Sequence, residues 1–290
     1  MRGLKKRRKK FDIVTAVIVV IFTVYAFTLL YPFFYLIINS LKSALGFLTN
    51  PLGMGGELSF DNFTDVLTNL PELTGMEDLT MFSMFFHSIT LSVGITVVSM
   101  FMQAMAAYVL AKYDFKGNDF IYVVIIVASM IPTVGSLTAT FKLMTSTGLS
   151  NTYLGMLLLQ GGAFGGCFLY LHAYFKSIPW SYAESAMLDG ASHFKIFTRI
   201  MLPLASKAIL TYSILCFLGF WNDYWIPSLF YDQRPTLAVG LKHISAVATN
   251  TGNYPMQFAA MIITIIPVLI LYAFIQKQLL GSLTTGGLKE

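Results

Sequence analysis

Residues able to do chemistry are scarce in this 290-residue chain, and many of them fall in one stretch, YAESAMLDGASHFKIFTRIMLP, residues 182–203. It carries Glu184, Asp189, His193, Lys195 and Arg199, with Gly190 in the middle. Two carboxylates, an imidazole and two cations suit either acid–base work or a charged contact. Catalysis finds no second foothold. The chain contains no HExxH and no GxSxG, which argues against metalloprotease and esterase chemistry. Without a GxxxxGK[ST] phosphate loop it cannot hydrolyse ATP itself. A polar contact surface is the stronger reading.

The elements around the stretch are of a different character. The chain is 56% hydrophobic and only 11% charged, with a mean hydropathy of +0.69. A soluble domain carries about a quarter charged residues, so the solvent here is a bilayer and water-soluble enzyme folds drop out. An apolar helix needs roughly 20 residues to cross about 30 Å of hydrocarbon. Six segments qualify: 11–38, 84–110, 120–141, 152–175, 207–230 and 256–280.

Charge orients them. Seven of the 19 basic residues crowd into MRGLKKRRKK at the start, before a run too long to be the core of a signal peptide. If that end is cytoplasmic, all the basic residues except Lys42, Lys142, Arg234 and Lys242 lie inside. Both termini are then cytoplasmic, and 178–204 is the longest inner loop. The domain reading is a basic stretch 1–10, a membrane domain 11–280 and a tail 281–290. Segment 41–83 is external and acidic (Glu57, Asp61, Asp65, Glu72, Glu77, Asp78), with Pro51, Pro71 and glycines that predict short helices and turns. The charge pattern offers nucleic acid nothing beyond a lipid-facing basic cluster without interleaved aromatics.

Within the inner loop, Pro179 suits a first helical turn, and 180–188 reads as a short helix. Small residues at Ala183, Ser185 and Ala186 would let another surface come close. Asp189-Gly190 signals a turn, Ser192 can cap a second helix, and Pro203 closes it. Phe194, Phe197, Met201 and Leu204 give that second helix one apolar face, with Lys195 and Arg199 on another. Periodicity alone leaves two readings open: an elbow for a cytoplasmic partner, or a loop that covers the inner ends of the spans.

Glu184-Ser185-Ala186, Gly190 and Ile200-Met201-Leu202-Pro203, with gaps of three and nine residues, resemble the EAA–G–IxLP signature loop of ABC-importer permeases. Ser185 in place of the middle alanine is a small-for-small departure. Asp189-Gly190-Ala191, Trp221-Asn222-Asp223, Asn39-Ser40-Leu41-Lys42, Phe60-Asp61-Asn62-Phe63 and the tail 283–289 are similar to elements of the maltose-type carbohydrate permeases. His87 departs from the asparagine usual before Ser88.

The resemblance implies an all-α fold of six transmembrane helices, the type I importer permease fold, with a cytoplasmic helix–turn–helix coupling elbow at 178–204. It implies import of a sugar, an oligosaccharide, by alternating access across a bacterial or archaeal inner membrane. A second homologous permease, two ATP-binding subunits and an extracytoplasmic sugar-binding protein would complete the machine. ATP and Mg would be used by the ATPase subunits, with no cofactor or metal held by this chain. The residues implied for ATPase coupling are Ala183, Glu184, Ser185, Ala186, Asp189, Gly190, Ala191, Ile200, Leu202 and Pro203, with Glu184 making a polar contact. An ABC permease for a peptide or amino acid, and an ion-coupled carrier, are the alternatives. No membrane-embedded row of carboxylates favours the carrier.

A sugar path needs amides, hydroxyls and aromatic faces, which Gln160, Trp221, Asn222 and Tyr224 offer. Helix packing is an equal use for each of them. The glycines in 161–166 allow close helix approach or a kink. Cys167 and Cys216, both in apolar runs, read as small packing hydrophobes.

Overall fold

The computed structural model describes residues 13–53, 58–76, 79–131 and 135–285, the side chains of 275 and 277–285 excepted. The basic stretch 1–10, the glycine-rich end from 286, and Glu57, Glu77 and Asp78 lie outside the described residues. Everything regular among the described residues is helical, apart from an isolated bridge between Lys42 and Leu58. In chain order the helices are α1 (Ile13–Ser40), α2 (Ala44–Thr49), α3 (Asp61–Thr68), α4 (Leu70–Thr74), α5 (Met81–Lys112), α6 (Asn118–Met130), α7 (Leu137–Ser146) and α8 (Tyr153–Gln160). There follow α9 (Phe168–Ser177), α10 (Ser181–Leu188), α11 (His193–Ile196), a π-turn (Phe197–Met201), α12 (Leu202–Leu204), α13 (Ser206–Asn222), α14 (Trp225–Phe230), α15 (Leu237–Thr251) and α16 (Tyr254–Thr285).

These helices form two compact parts. The first runs to Asn69 and includes Ser245–Ile265. Its long helix α1 is apolar on every side, and its most hydropathic window buries nothing. Such a helix is built for lipid or another chain. Beyond α1 the chain is tied tightly. Lys42 is buried and donates from Nζ to the carbonyls of Asn50 at 2.8 Å and Gly53 at 2.7 Å. Asn62 Nδ2 donates to the carbonyls of Ser40 and Lys42, 2.8 Å each, so two motifs twenty residues apart form one joint.

The second part, Leu70–Ile244 with the rest of α16, is organised on α5. A capping box starts that helix, with Thr80 and Ser83 exchanging side-chain and backbone hydrogen bonds. Ser88, Ser92, Thr96, Ser99 and Gln103 then recur three or four apart and are all buried. Small hydroxyl residues in one stripe leave room on that face of α5, where Ser88 accepts the Leu237 N–H at the start of α15. Gly94 admits α8 on another face of α5: a Cβ there would stand 1.7 Å from the Tyr153 hydroxyl.

The expected spans fare unequally. Spans one, two and six appear as unbroken α1, α5 and α16. The third is divided between α6 and α7, where the sequence has Pro132 and Gly135. The fourth is divided between α8 and α9 across residues 161–167, four of which are glycines. The fifth breaks at Asp223 into α13 and α14. Among the described residues three helices can cross a membrane unbroken by length and hydropathy, or four counting the bent pair His193–Leu204 and Ser206–Asn222 as one. Glycine clusters lower helix propensity, so apolar content alone overstated helix continuity here.

Candidate functional site

α10 starts at Ser181 with Trp180 in the cap position, one residue past the expected start. Its C-terminus closes as a Schellman motif: Gly190 N–H donates to Met187 O at 3.0 Å and Ala191 N–H to Ala186 O at 2.9 Å. Gly190 adopts φ +78°, a conformation that costs other L-residues roughly 1–2 kcal/mol. Ser192 occupies the cap position of α11 with extended backbone, but its side chain makes no capping bond. The expected stop comes just past Pro203, where the chain bends by 79° between Leu204 and Ser206.

The apolar face of this second helix differs from expectation. Phe197 and Met201 are buried, but Phe194 is 63% exposed and Leu204 is also exposed. The π-turn at Phe197–Met201 shifts the spacing beyond it, so that Ala205 rather than Leu204 is buried. Ile196, Phe197, Met201 and Ala205 then point inward, and Phe194 is left beside an open cleft of about 290 Å³.

The small residues of α10 also face differently from expectation. Ala183 and Ala186 are buried in the chain's own core, so the close approach they permit is internal. Ala191, Ile200 and Leu202 pack against the same core. The outward edge consists of Tyr182, Glu184, Ser185, Leu188 and Asp189, and Leu188 is 89% exposed. Gly190 and Pro203 are exposed as well. Glu184 has no ion pair among the described residues. Leu188, a large hydrophobe presented at the tip of a polar turn, was missed by the motif comparison. Its position directly before Asp189-Gly190 was the available signal.

The elbow is clamped to the end of α5. Tyr113 hydrogen-bonds His193 Nδ1 at 2.9 Å and Tyr108 at 3.2 Å, and its ring meets Trp180 edge-on with centroids 5.6 Å apart. Tyr108 stacks on Phe197 at 5.2 Å. Lys112 Nζ donates to the carbonyls of Lys176 and Ile178, placing its charge at the negative end of α9. The elbow thus touches the end of α5 and the end of α9 through packed rings and direct hydrogen bonds.

The path candidates divide. Gln160 Nε2 donates to Asp223 Oδ2 at 3.1 Å, while Asp223 Oδ1 accepts from the N–H groups of Trp225 at 2.9 Å and Ile226 at 3.2 Å. The carboxylate thus starts α14 and ties it to the end of α8. Asn222 and Tyr224, on either side, are exposed, and Asn222 Nδ2 donates to Leu218 O in its own helix. Trp221 is turned inward, buried against Phe85 and Phe217, which is a packing role. Asp223 and the exposed Trp225 are additions to the candidate set. His172 is buried, stacked on Tyr122 with centroids 4.4 Å apart. His87 Nδ1 lies 3.4 Å from Pro235 O, and the neighbouring Ser88 hydroxyl accepts the Leu237 N–H at 2.7 Å.

A family model described as "Binding-protein-dependent transport system inner membrane component" matches residues 103–282, from the last third of α5 through the elbow to α16. The arabinooligosaccharides transport system permease protein AraQ of Bacillus subtilis is 30% identical, over 97% of this chain and 98% of its own length. The diacetylchitobiose uptake system permease protein NgcG of Streptomyces coelicolor is 29% identical, over 88% of this chain and 82% of its own. In three dimensions the chain matches one from a bacterial ABC transporter involved in the import of the acidic polysaccharide alginate, with a TM-score of 0.71 and 25% identity. That match covers 96% of this chain and 99% of the other.

Proposed function

The chain belongs to the binding-protein-dependent transport system inner membrane components, and on that premise we propose that it is one of two membrane-spanning subunits of an ATP-driven importer of an oligosaccharide. It is a permease; hydrolysis of ATP with Mg falls to two partner ATPase subunits. The chain crosses the inner membrane six times with both ends cytoplasmic, and the divided helices act as crossings with built-in joints. Residues 11–280 are the membrane domain, flanked by the basic start 1–10 and the tail 281–290.

One observation carries the coupling role. α10 is held from behind by Ala183 and Ala186 while Tyr182, Glu184, Ser185, Leu188 and Asp189 face outward. Leu188 inserts into the ATPase subunit with Glu184 and Asp189 as polar contacts beside it, and Gly190 sets the turn. ATP closes the ATPase dimer and draws the elbows together. The clamp at Tyr113 and Lys112 passes that motion to α5 and α9, and the path opens outward to a docked sugar-binding protein. The acidic external segment, including Asp61 and Glu72, receives that protein. Gln160, Asn222 and Tyr224 serve the sugar along the path, with Asp223 holding Gln160. Oligosaccharide is the solute because AraQ and NgcG carry such names.

Gentle affinity purification from native membranes, with mass spectrometry of what is retained, tests the assembly. An ATPase, a second related permease and a sugar-binding protein are expected. Recovery of this chain alone, under conditions that hold another importer together, would overturn the reading.

A further inference from the structure

The chain has two cysteines, 49 residues apart, and the fold brings them to one point: Cys167 Sγ and Cys216 Sγ lie 3.0 Å apart. That is inside the roughly 3.5–4.0 Å at which even carbon atoms pack best. A disulfide needs about 2.05 Å, so roughly one ångström of closure separates the pair from a covalent bond.

Their positions give the pair a mechanical meaning. Cys167 begins α9, the arm that enters the elbow, and Cys216 sits within α13, the arm that leaves it. Between them in sequence lies the whole elbow, including α10 and the bend after Leu204. Cys167 is also held to α5, because its N–H donates to Gln103 Oε1 at 3.1 Å. Gly165 makes that approach possible, since a Cβ there would stand 2.5 Å from the Gln103 amide nitrogen. The Cys167 side is thus fixed, and Cys216, half-buried on α13, is the accessible partner.

We propose that Cys167 and Cys216 form an oxidisable dithiol whose disulfide locks the two arms of the elbow together and stops transport reversibly. The lock rests on the importer reading above. The oxidant is a small neutral peroxide, able to enter the membrane. One sulfur attacks a peroxide oxygen, the O–O bond breaks, and a sulfenic acid and water result. The second sulfur displaces the sulfenic oxygen as another water, forming the S–S bond. Two thiols and one hydrogen peroxide give one disulfide and two waters. A dithiol reductant returns both thiols by exchange.

The test uses the purified complex of this chain with the second permease and the ATPase subunits, in lipid, with hydrogen peroxide as probe. Peptide mapping should find a Cys167–Cys216 cross-link, and ATP hydrolysis should fall about ten-fold as one conformation is held, then recover with dithiothreitol. Cys216→Ser and Cys167→Ala should each hydrolyse ATP normally and resist peroxide. Two free, alkylatable thiols after peroxide would overturn the proposal, as would a cross-link that leaves hydrolysis unchanged. Failure of the importer reading would register earlier and separately, as no ATPase bound to the untreated, reduced chain.

Discussion

The elbow and the helix breaks at Gln160 and Asp223 both interrupt apolar helices, but by different means. In the elbow the interruption is local. Gly190 and Ala191 end α10 through bonds to residues three and five positions back respectively. At the breaks the deciding contact spans 63 residues, from Gln160 to Asp223. A turn closed by near neighbours keeps its shape when its outer contacts shift, so it can carry a push. A pair fixed by a distant partner instead records how two helices sit against one another. The first suits transmission, the second a path that must change shape.

The largest effect that would break this contrast comes from the outward edge. Leu188→Asp should weaken ATPase capture by about 2 kcal/mol, roughly thirty-fold, as for an interface anchor. Because Leu188 is almost fully exposed, the thermal stability of the chain should stay within about 0.5 kcal/mol. Titration of the purified ATPase onto membranes, read beside a melting curve, checks both halves. Unchanged capture would reduce the elbow to a cover for the spans.

Ala183→Leu probes the opposite face. Overpacking there should cost about 1–3 kcal/mol of stability. Capture by the intact fraction should be retained, since the outward edge is untouched. A melting temperature that does not move would mean Ala183 has room, contrary to its complete burial against the core.

These two alanines show how far the sequence could be read. EAA-type spacing located α10 and its turn to within a residue, because caps and Asp-Gly turns are written in adjacent positions. It could not say which side of α10 faces out, since that depends on α5 and α9 lying behind it. The π-turn was invisible for the same reason, and so Leu204 was placed on one apolar face with Phe197 and Met201. Trp221 looked like a sugar platform because aromatics at span ends serve both uses, and its ring partner Phe85 is far away in the chain. The hydroxyl stripe Ser88, Ser92, Thr96, Ser99 was legible in its three- and four-residue spacing, and would have marked the packed face of α5. The thiol pair had no local signal at all.

A smaller effect is expected at the turn. No atom comes within 4 Å of a Cβ built on Gly190, so Gly190→Val should cost only the backbone term, roughly 1–2 kcal/mol. Gly190→Asn, which tolerates positive φ, should recover most of it. Coupling, measured as ATP hydrolysed per solute taken up, should worsen with valine while the protein still inserts. Equal behaviour of valine and asparagine would show that the angle of the turn is unimportant.

The finest test concerns the break. Asp223→Ala removes the acceptor for Trp225, Ile226 and Gln160, whereas Gln160→Leu removes only the last contact. In a double-mutant cycle on thermal stability, the two should couple by about 1 kcal/mol, the worth of one hydrogen bond to a charged group partly screened by its other partners. Asp223→Asn separates position from charge. Its oxygen can still accept the two N–H groups that start α14, and Gln160 can turn its own oxygen toward the new amide. Stability should then change little, and any loss of uptake must come from the missing charge beside Asn222 and Tyr224. Zero coupling in the cycle would mean that the two breaks bend independently. The contrast with the elbow would then fail, because the two breaks would lack the direct tie that joins them.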